Sequence, residues 1–403
     1  MRRLIPALTI LVLTCAPVFP SSAQENSCPA LVEAALSASE AACAATGRNE
    51  ACYGHLSVNA ELAPNAGNVS FAQTGDIISV TALRTLRLSP LDVSAGIWGV
   101  ALMRLQANLP DTLPGQNVNF LVFGNTEITN AVAQETELNV TTTTGGIPAD
   151  VYISPDETSA VVGRIQDEQE LVAVGRTQNA DWVLVELPDS PDSSGWLPAS
   201  RLRAGTDLTA LPVIEPGAPR YGPMQSFYLR TGISEPECAE APPDGILVQT
   251  PEGVGTVTLA INQVEVAFGS TLFFRAQPDG DMILSVLEGA ARAAAQGVSR
   301  PAVAGGRIRI PLNENLEPES PPSDFEPYDE VFLAPLPVDR LERPISIAPS
   351  VTQEEADRVM RFERYFNLIA VSDFNALHAF LNDNPQAENA EIEAFLQTLG
   401  YVF

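Results

Sequence analysis

The chain has 403 residues, too many for one ordinary hydrophobic core, and its length implies two to four domains. Hydrophobic residues make up 45% of it and charged residues 18%, a balance that excludes a disordered polymer. The formal net charge of −28 repels nucleic acid and anionic headgroups, and all 22 basic residues are arginine. Without a lysine amine there is no Walker phosphate loop, no Schiff-base lysine and no Ser-Lys hydrolase.

Met1-Arg2-Arg3 precedes an apolar run from Leu4 to Thr14, and Ser21-Ser22-Ala23 supplies small residues after it. This order predicts a secretory signal peptide over residues 1–23, cleaved after Ala23. Lipidation at Cys15 is the weaker alternative, since Thr14 precedes it. The run is too short to cross a bilayer, and no later stretch approaches ~20 uninterrupted apolar residues. The processed chain is therefore expected in secreted, periplasmic or cell-envelope space, without a membrane span. There Cys28, Cys43, Cys52 and Cys238 are disulfide candidates. Four cysteines allow three pairings. A straight helix between Cys28 and Cys43 would hold them ~22 Å apart, too far for a bond. Cys43–Cys52, across the Gly47-Arg48-Asn49 turn, is the preferred pair, and Cys28–Cys238 follows.

Residues 28–135 are predicted as an N-terminal α+β domain. An amphipathic helix over 28–48 leads into strand-length apolar runs at Ile77 to Leu83, Ile97 to Leu105 and Val118 to Phe123. The run from Ile97 to Met103 is apolar on both faces and predicts a central, buried strand. The Thr/Gly tract from Thr141 to Gly146 reads as a linker.

From Ala149 to Leu202, four short apolar runs are separated by turn residues. Val183, Val185 and Leu187 share one face, and Trp182, Leu184 and Glu186 the other. The pattern predicts a small, bent antiparallel barrel over 147–204. Ser154-Pro155, Val162-Gly163, Asp181-Trp182 and Gly195-Trp196 give this stretch a spacing that resembles the bacterial SH3-like (SH3b) family. The resemblance implies an exported module that binds wall or other ligands without doing chemistry. Tyr152, Trp182 and Trp196 are the candidate ligand-binding residues, because aromatic side chains near barrel loops stack on sugar rings or clamp extended peptides. The two tryptophans could equally plug the ends of so small a core.

Residues 205–243 are rich in Pro and Gly and read as a linker. Over 244–312 apolar alternation returns, with Asn262-Gln263 and Asp279-Gly280 as hairpin turns. Phe268-Gly269-Ser270-Thr271, Leu287-Glu288-Gly289 and Ala304-Gly305-Gly306 resemble the FecR-type domain of exported regulatory and envelope proteins. Residues 313–349 form a Pro- and acid-rich linker. The last segment, 350–403, is predicted helical. Thr352 and Glu355 make a capping box, Val359, Phe362, Phe366 and Ile369 recur at helical spacing, and Ser372 is a candidate cap for a second helix. A third carries Ile392, Phe395, Leu396 and Leu399. These faces are expected to bury one another in a self-contained bundle, or to dock on a partner.

Reactive chemistry is sparse. His55 lies three residues from Cys52, but a zinc site or a nucleophile needs further ligands or a base. His378 falls among Leu377 and Phe380 and reads as structural. Gly253-Val254-Gly255 leads into a strand, where phosphate binding wants a helix. The acid pairs Asp189/Asp192 and Asp279/Asp281 suit turns, and Asp324, Glu326, Asp329 and Glu330 read as a solvated run. No catalytic residue, metal ligand or cofactor is predicted. The fold class is thus mostly β and multidomain: a small SH3-like barrel, a second β-rich FecR-like domain, an N-terminal α+β domain and a C-terminal helical segment. The expected function is a non-catalytic envelope protein that binds cell-wall polymer or another envelope protein. The alternative is an extracytoplasmic sensor whose FecR-like domain and C-terminal helices contact a membrane partner.

Overall fold

The computed structural model describes residues 27–64, 66–106, 117–132, 138–188, 190–215, 221–232, 238–253 and 255–403. The expected leader at 1–23 with its Cys15, Asp189, the Asp192 side chain and Val254 lie outside the described residues. The chain is mostly β, with three sheets and a helical C-terminal segment.

Two of the sheets cut across the boundaries expected near residues 135 and 244. A nine-stranded sheet runs, edge to edge, Glu326–Pro327, Gly306–Pro311, Asp281–Glu288, Thr271–Ala276, Gly245–Gln249, Asn117–Phe123, Val100–Gln106, Glu50–His55 and Ile77–Ser79. Its two halves meet where Asn117–Phe123 pairs antiparallel with Gly245–Gln249, Phe120 opposite Val248 and Val122 opposite Ile246. An eight-stranded sheet runs Val58–Leu62, Leu83–Leu88, Thr126–Asn130, Ser226–Thr231, Val257–Ile261, Val264–Phe268, Ala290–Ala295 and Val298–Val303. One continuous core lies between the two, so the stretches expected as separate N-terminal and FecR-like domains share their hydrophobic interior.

Burial explains the composition of the central strands. Every residue of Asn117–Phe123 is buried. Val118, Phe120 and Val122 join the core between the sheets, while Leu121 and Phe123 face an outer layer. The outer layer is the Cys28–Ala42 helix, which presents Val32, Ala35 and Leu36, together with the 328–341 stretch, which presents Tyr328, Leu333 and Leu336. A sheet covered on both faces has no solvent side to mark with polar residues, hence the unbroken apolar runs. The run expected as a central strand, Ile97 to Met103, is strand only from Val100 onward: Val100–Gln106 is an interior strand between Glu50–His55 and Asn117–Phe123, and Ile97 makes only a bridge to Asp92. The disulfides are Cys28–Cys238 and Cys43–Cys52, with Cα atoms 6.2 and 5.7 Å apart. The helix expected to reach residue 48 stops at Ala42, where Cys43 turns toward Cys52.

The two longer segments expected as linkers, 205–243 and 313–349, carry packed structure. Within 205–243, Ser226–Thr231 sits inside the eight-stranded sheet, antiparallel to Thr126–Asn130 and parallel to Val257–Ile261. The fully buried Asn262 secures it, its Oδ1 accepting from the Leu229 N–H (2.7 Å) and its Nδ2 donating to the Leu229 carbonyl (3.0 Å). Asn262 and Gln263 both adopt φ near +55 to +60°, at 53° and 61°, as a two-residue hairpin turn requires. Within 313–349, Gln249 holds the backbone of Arg343 in both directions, and the Arg343 guanidinium grips Glu288 with two bonds of 2.7 and 2.5 Å. The acids read as a solvated run are engaged. Glu326 takes Arg307 and Arg309, Asp329 caps the Glu330–Leu333 turn, and Asp324 faces Arg300.

The C-terminal helices, Gln353–Arg361, Glu363–Leu368, Phe374–Asp383 and Asn389–Thr398, do not form a bundle of their own. Val359, Phe366, Phe374, Leu377 and Ile392 belong to the same core as the two sheets. Arg292, from the eight-stranded sheet, donates to the Phe366 and Ile369 carbonyls (2.5 and 3.2 Å) and so ties off the end of Glu363–Leu368. The Thr352/Glu355 capping box is present. Ser372 falls in a 3₁₀ turn, and Asp373 holds the cap position without a capping bond, its carboxylate accepting instead from the Tyr401 hydroxyl.

Because tail and sheets share one core, Phe374→Ala should cost about 3–5 kcal/mol of stability. Hydrogen exchange at 353–398 and in the Ala290–Val303 hairpin should lose protection together, and a tail that opens alone would show separate cores. The Glu288–Arg343 tie adds a pH dependence. Hydrogen bonding from Arg343 holds the Glu288 carboxyl below the usual carboxylate range. A carboxyl lowered on folding stabilises fully above its unfolded pKa, ~4.3, and that stability is lost as pH falls through the folded value. Amides of 338–349, corrected for intrinsic exchange, should open as pH drops from about 5 to about 3. Glu288→Gln should open them at neutral pH and flatten the response.

Candidate functional site

The six-stranded sheet is inserted between the two halves of the sandwich. Its order is Val161–Ile165, Ala149–Tyr152, Ser190–Pro198, Trp182–Leu187, Glu170–Arg176 and Leu138–Thr141, antiparallel throughout. It wraps a core of its own, in which Val140 and Ile165 from its two edges meet Val151, Val183 and Leu197. The unit begins earlier than residue 147. Thr141 ends the strand Leu138–Thr141 and pairs with Glu170, the Thr142 hydroxyl donates to the Gln166 carbonyl (2.7 Å), and Asp167 accepts from the Thr144 and Gly146 N–H groups, so the tract expected as a linker is anchored to this unit. It also ends later than residue 204, since Leu211 enters the same core and Val213 bridges to Arg176.

Alternation sends Val183, Val185 and Leu187 inward and Trp182, Leu184 and Glu186 outward, as the sequence implies. Register then brings the three candidate aromatics to one outer face: Trp196 lies opposite Leu184 on one side and Tyr152 on the other. Their environments differ. Trp196 is 6% exposed and packs with Val174 and Leu184, so it serves as the floor of this face rather than a contact surface. The close approach beneath it depends on Gly195, where a Cβ would lie 2.5 Å from Val151 Cγ1 and 2.7 Å from Val162 Cγ2. Ile214, returning from the connector, packs into the space above Gly175 and covers one end of the floor.

Tyr152 and Trp182 are half-buried and stand edge to face, ring centroids 5.7 Å apart at 87°. Beside them Ile153 and Val161 are exposed, at 56% and 47%. Val161–Ile165 is one of the two edge strands of the sheet, so among the described residues its outer backbone groups meet no neighbouring strand. The Thr177 hydroxyl accepts from the Trp182 N–H (3.2 Å), and the Asn179 amide donates to Asp181 (2.6 Å), which fixes the turn carrying Trp182. Asp150 and Arg164 form an exposed pair at 2.7 Å that contributes little to stability. The face therefore offers a T-shaped aromatic pair with open edges, one side apolar and the other polar, with one carboxylate, Asp181, in the turn that carries Trp182.

The other residues weighed in the sequence are dispersed. Cys52 is bonded to Cys43, and Nδ1–H of His55 donates to the Trp98 carbonyl (3.0 Å). His378 is half-buried, and burial pushes its imidazole below the ordinary range. Asp279 takes the left-handed position of a hairpin turn. Among the described residues no three His, Cys, Asp or Glu side chains converge as a metal site, and no helix is long and apolar enough to cross a membrane.

Trp196→Ala should cost about 3–5 kcal/mol in the unfolding of the six-stranded unit, whereas Trp182→Ala should cost less than about 2 kcal/mol. Urea titration followed by the remaining tryptophan in this unit checks the difference, and equal costs would place Trp182 in the core. Comparison with family models, with curated proteins and with solved structures gives no match for this chain.

Proposed function

We propose that this chain is an exported, non-catalytic envelope protein whose inserted six-stranded unit binds cell-wall polymer through Tyr152 and Trp182. One observation carries this reading: two half-buried aromatic rings, perpendicular and 5.7 Å apart, stand over a buried tryptophan on the outer face of a small sheet. Rings held on one side and open on the other stack on the apolar faces of sugar rings at little entropic cost. Resemblance of the unit's turn and Gly-Trp spacing to SH3b modules supports the same class of ligand. Two disulfides and the arginine-led apolar start of the chain support export. The sensor reading has less support, because the C-terminal helices direct their apolar faces into the sandwich.

Co-sedimentation with purified wall sacculi tests the proposal. Tyr152→Ala and Trp182→Ala should each weaken retention about tenfold or more, with circular dichroism unchanged. Equal retention of both variants and the parent protein would remove the wall-binding role. Retention on solubilised envelope proteins but not on sacculi would transfer the same face to a protein partner.

A further inference from the structure

The outer face of the nine-stranded sheet gathers arginines near its Gly306–Pro311 side. Alternation sends Phe273 and Arg275 to this face, and register sets Arg275 opposite Ile283, Ile283 opposite Arg309, and Ser285 opposite Arg307. Tyr328, Asp329, Phe332 and Leu333 cross above them and leave a cavity of about 190 Å³. Positive charge concentrated under a cover is notable in a molecule with 50 acids and 22 bases.

Neighbouring guanidiniums are answered. Arg307 and Arg309 share Glu326 at 2.8 and 3.0 Å, and Arg343 grips Glu288. Arg275 is different. Its guanidinium lies over the Phe332 ring, 4.9 Å from the centroid, and among the described residues no salt bridge joins it to an acid, while its buried Nε, like that of Arg343, has no hydrogen-bond partner. Each of the two nearby acids commits one carboxylate oxygen to backbone N–H groups. Asp244, the carboxylate whose charge Arg275 feels, accepts from the Asn125 N–H (2.9 Å). Asp329 accepts from the Val331 and Phe332 N–H groups (3.0 and 3.2 Å). Burial consequently lowers Arg275 below the usual arginine range and raises Asp244 above the usual carboxylate range.

Asp244 answers the Arg275 charge only through space and Asp329, which lines the cavity, is held on a helix cap, so among the described residues the half-buried guanidinium has no carboxylate in hydrogen-bond contact. Its planar fork of donors matches a carboxylate, and beside it the cavity has an aromatic and aliphatic wall of Phe332 and Leu333 as well as polar lining from Ser285, Arg307 and Asp329. We propose that this cavity binds a small organic carboxylate with an apolar body, its carboxylate on Arg275 and its body against Phe332 and Leu333. The volume lies below the ~300 Å³ at which drug-sized pockets begin, which limits the body to roughly one aromatic side chain. Two sources carry this chemistry, a free acid and the terminal carboxylate of a peptide, and the test separates them.

Isothermal titration of the purified protein would use four probes: 3-phenylpropionate, its amide, and a tripeptide ending in phenylalanine with a free or an amidated terminus. At least one acid should bind saturably, its amide at least about tenfold more weakly. Binding by 3-phenylpropionate alone assigns a free acid, and binding by the peptide acid assigns a chain terminus. Arg275→Met keeps the packing on Phe332 and should weaken binding about tenfold or more. Should that variant not fold, Ile283→Glu carries the test, since it places a carboxylate in register with Arg275 and should exclude the acids. No saturable binding by either acid, amides that bind as well as acids, or unchanged affinity in the folded variants would overturn the site.

Discussion

The pairing of Asn117–Phe123 with Gly245–Gln249 is the constraint on which the rest of the molecule depends. More than a hundred residues separate these strands, yet they are adjacent at the centre of a sheet buried on both faces. Neither half of the sandwich can hide its apolar edge without the other, so the two are one cooperative object. The eight-stranded sheet repeats the seam, with Ser226–Thr231 set between Thr126–Asn130 and Val257–Ile261. The six-stranded unit must then leave and return through neighbouring points, and the strands at Thr126–Asn130 and Ser226–Thr231, paired along their length, provide them. An insertion at such a site adds loop-closure entropy only slowly with its length. Cys28–Cys238 spans the same seam from outside and limits how far the unfolded halves can separate.

Arginine is the only cation available, and its shape is used throughout. A planar, multi-donor group can satisfy several carbonyls at once, where an ammonium acts as a point charge. Arg292 closes two carbonyls at the end of a helix, Arg358 reaches the Leu381 carbonyl (2.8 Å), and Arg104 reaches the Thr46 carbonyl (2.5 Å). Arg343 is bidentate on Glu288. Partners of this kind join elements distant in sequence, so much of the long-range positioning of strap and tail is polar in direction and apolar in strength.

What could be read from the sequence was whatever is encoded locally. Turn chemistry at Asn262-Gln263 and Asp279-Gly280, the Thr352/Glu355 capping box, the both-faces-apolar run ending at Met103 and both disulfides follow from neighbouring residues or from helix length. Alternation also placed Trp182 and Leu184 on the face opposite Val183. Sheet membership was hidden, because alternation says which side a residue faces and nothing about which strand lies alongside. Ser226–Thr231 was obscured by flanking Pro and Gly, although Phe227, Leu229 and Thr231 alternate with Tyr228 and Arg230. The burial of Trp196 and the isolation of Arg275 depend on Ile214 and Phe332, residues that no local pattern connects to them.

The two places proposed to bind differ in how they are supported. Tyr152 and Trp182 belong to a unit with its own core, on strands whose register is set within some fifty residues, and a change there leaves the sandwich intact. Arg275 sits on a strand near the middle of the nine-stranded sheet, beneath a strap that Glu288 and Gln249 hold down through Arg343. Anything that loosens that strap alters the roof over Arg275, because Tyr328, Phe332 and Leu333 precede Arg343 on the same packed segment. The strap is thus placed to couple occupancy of the cavity to the packing of the chain's last hundred residues, whereas the inserted unit is placed to act without informing the rest.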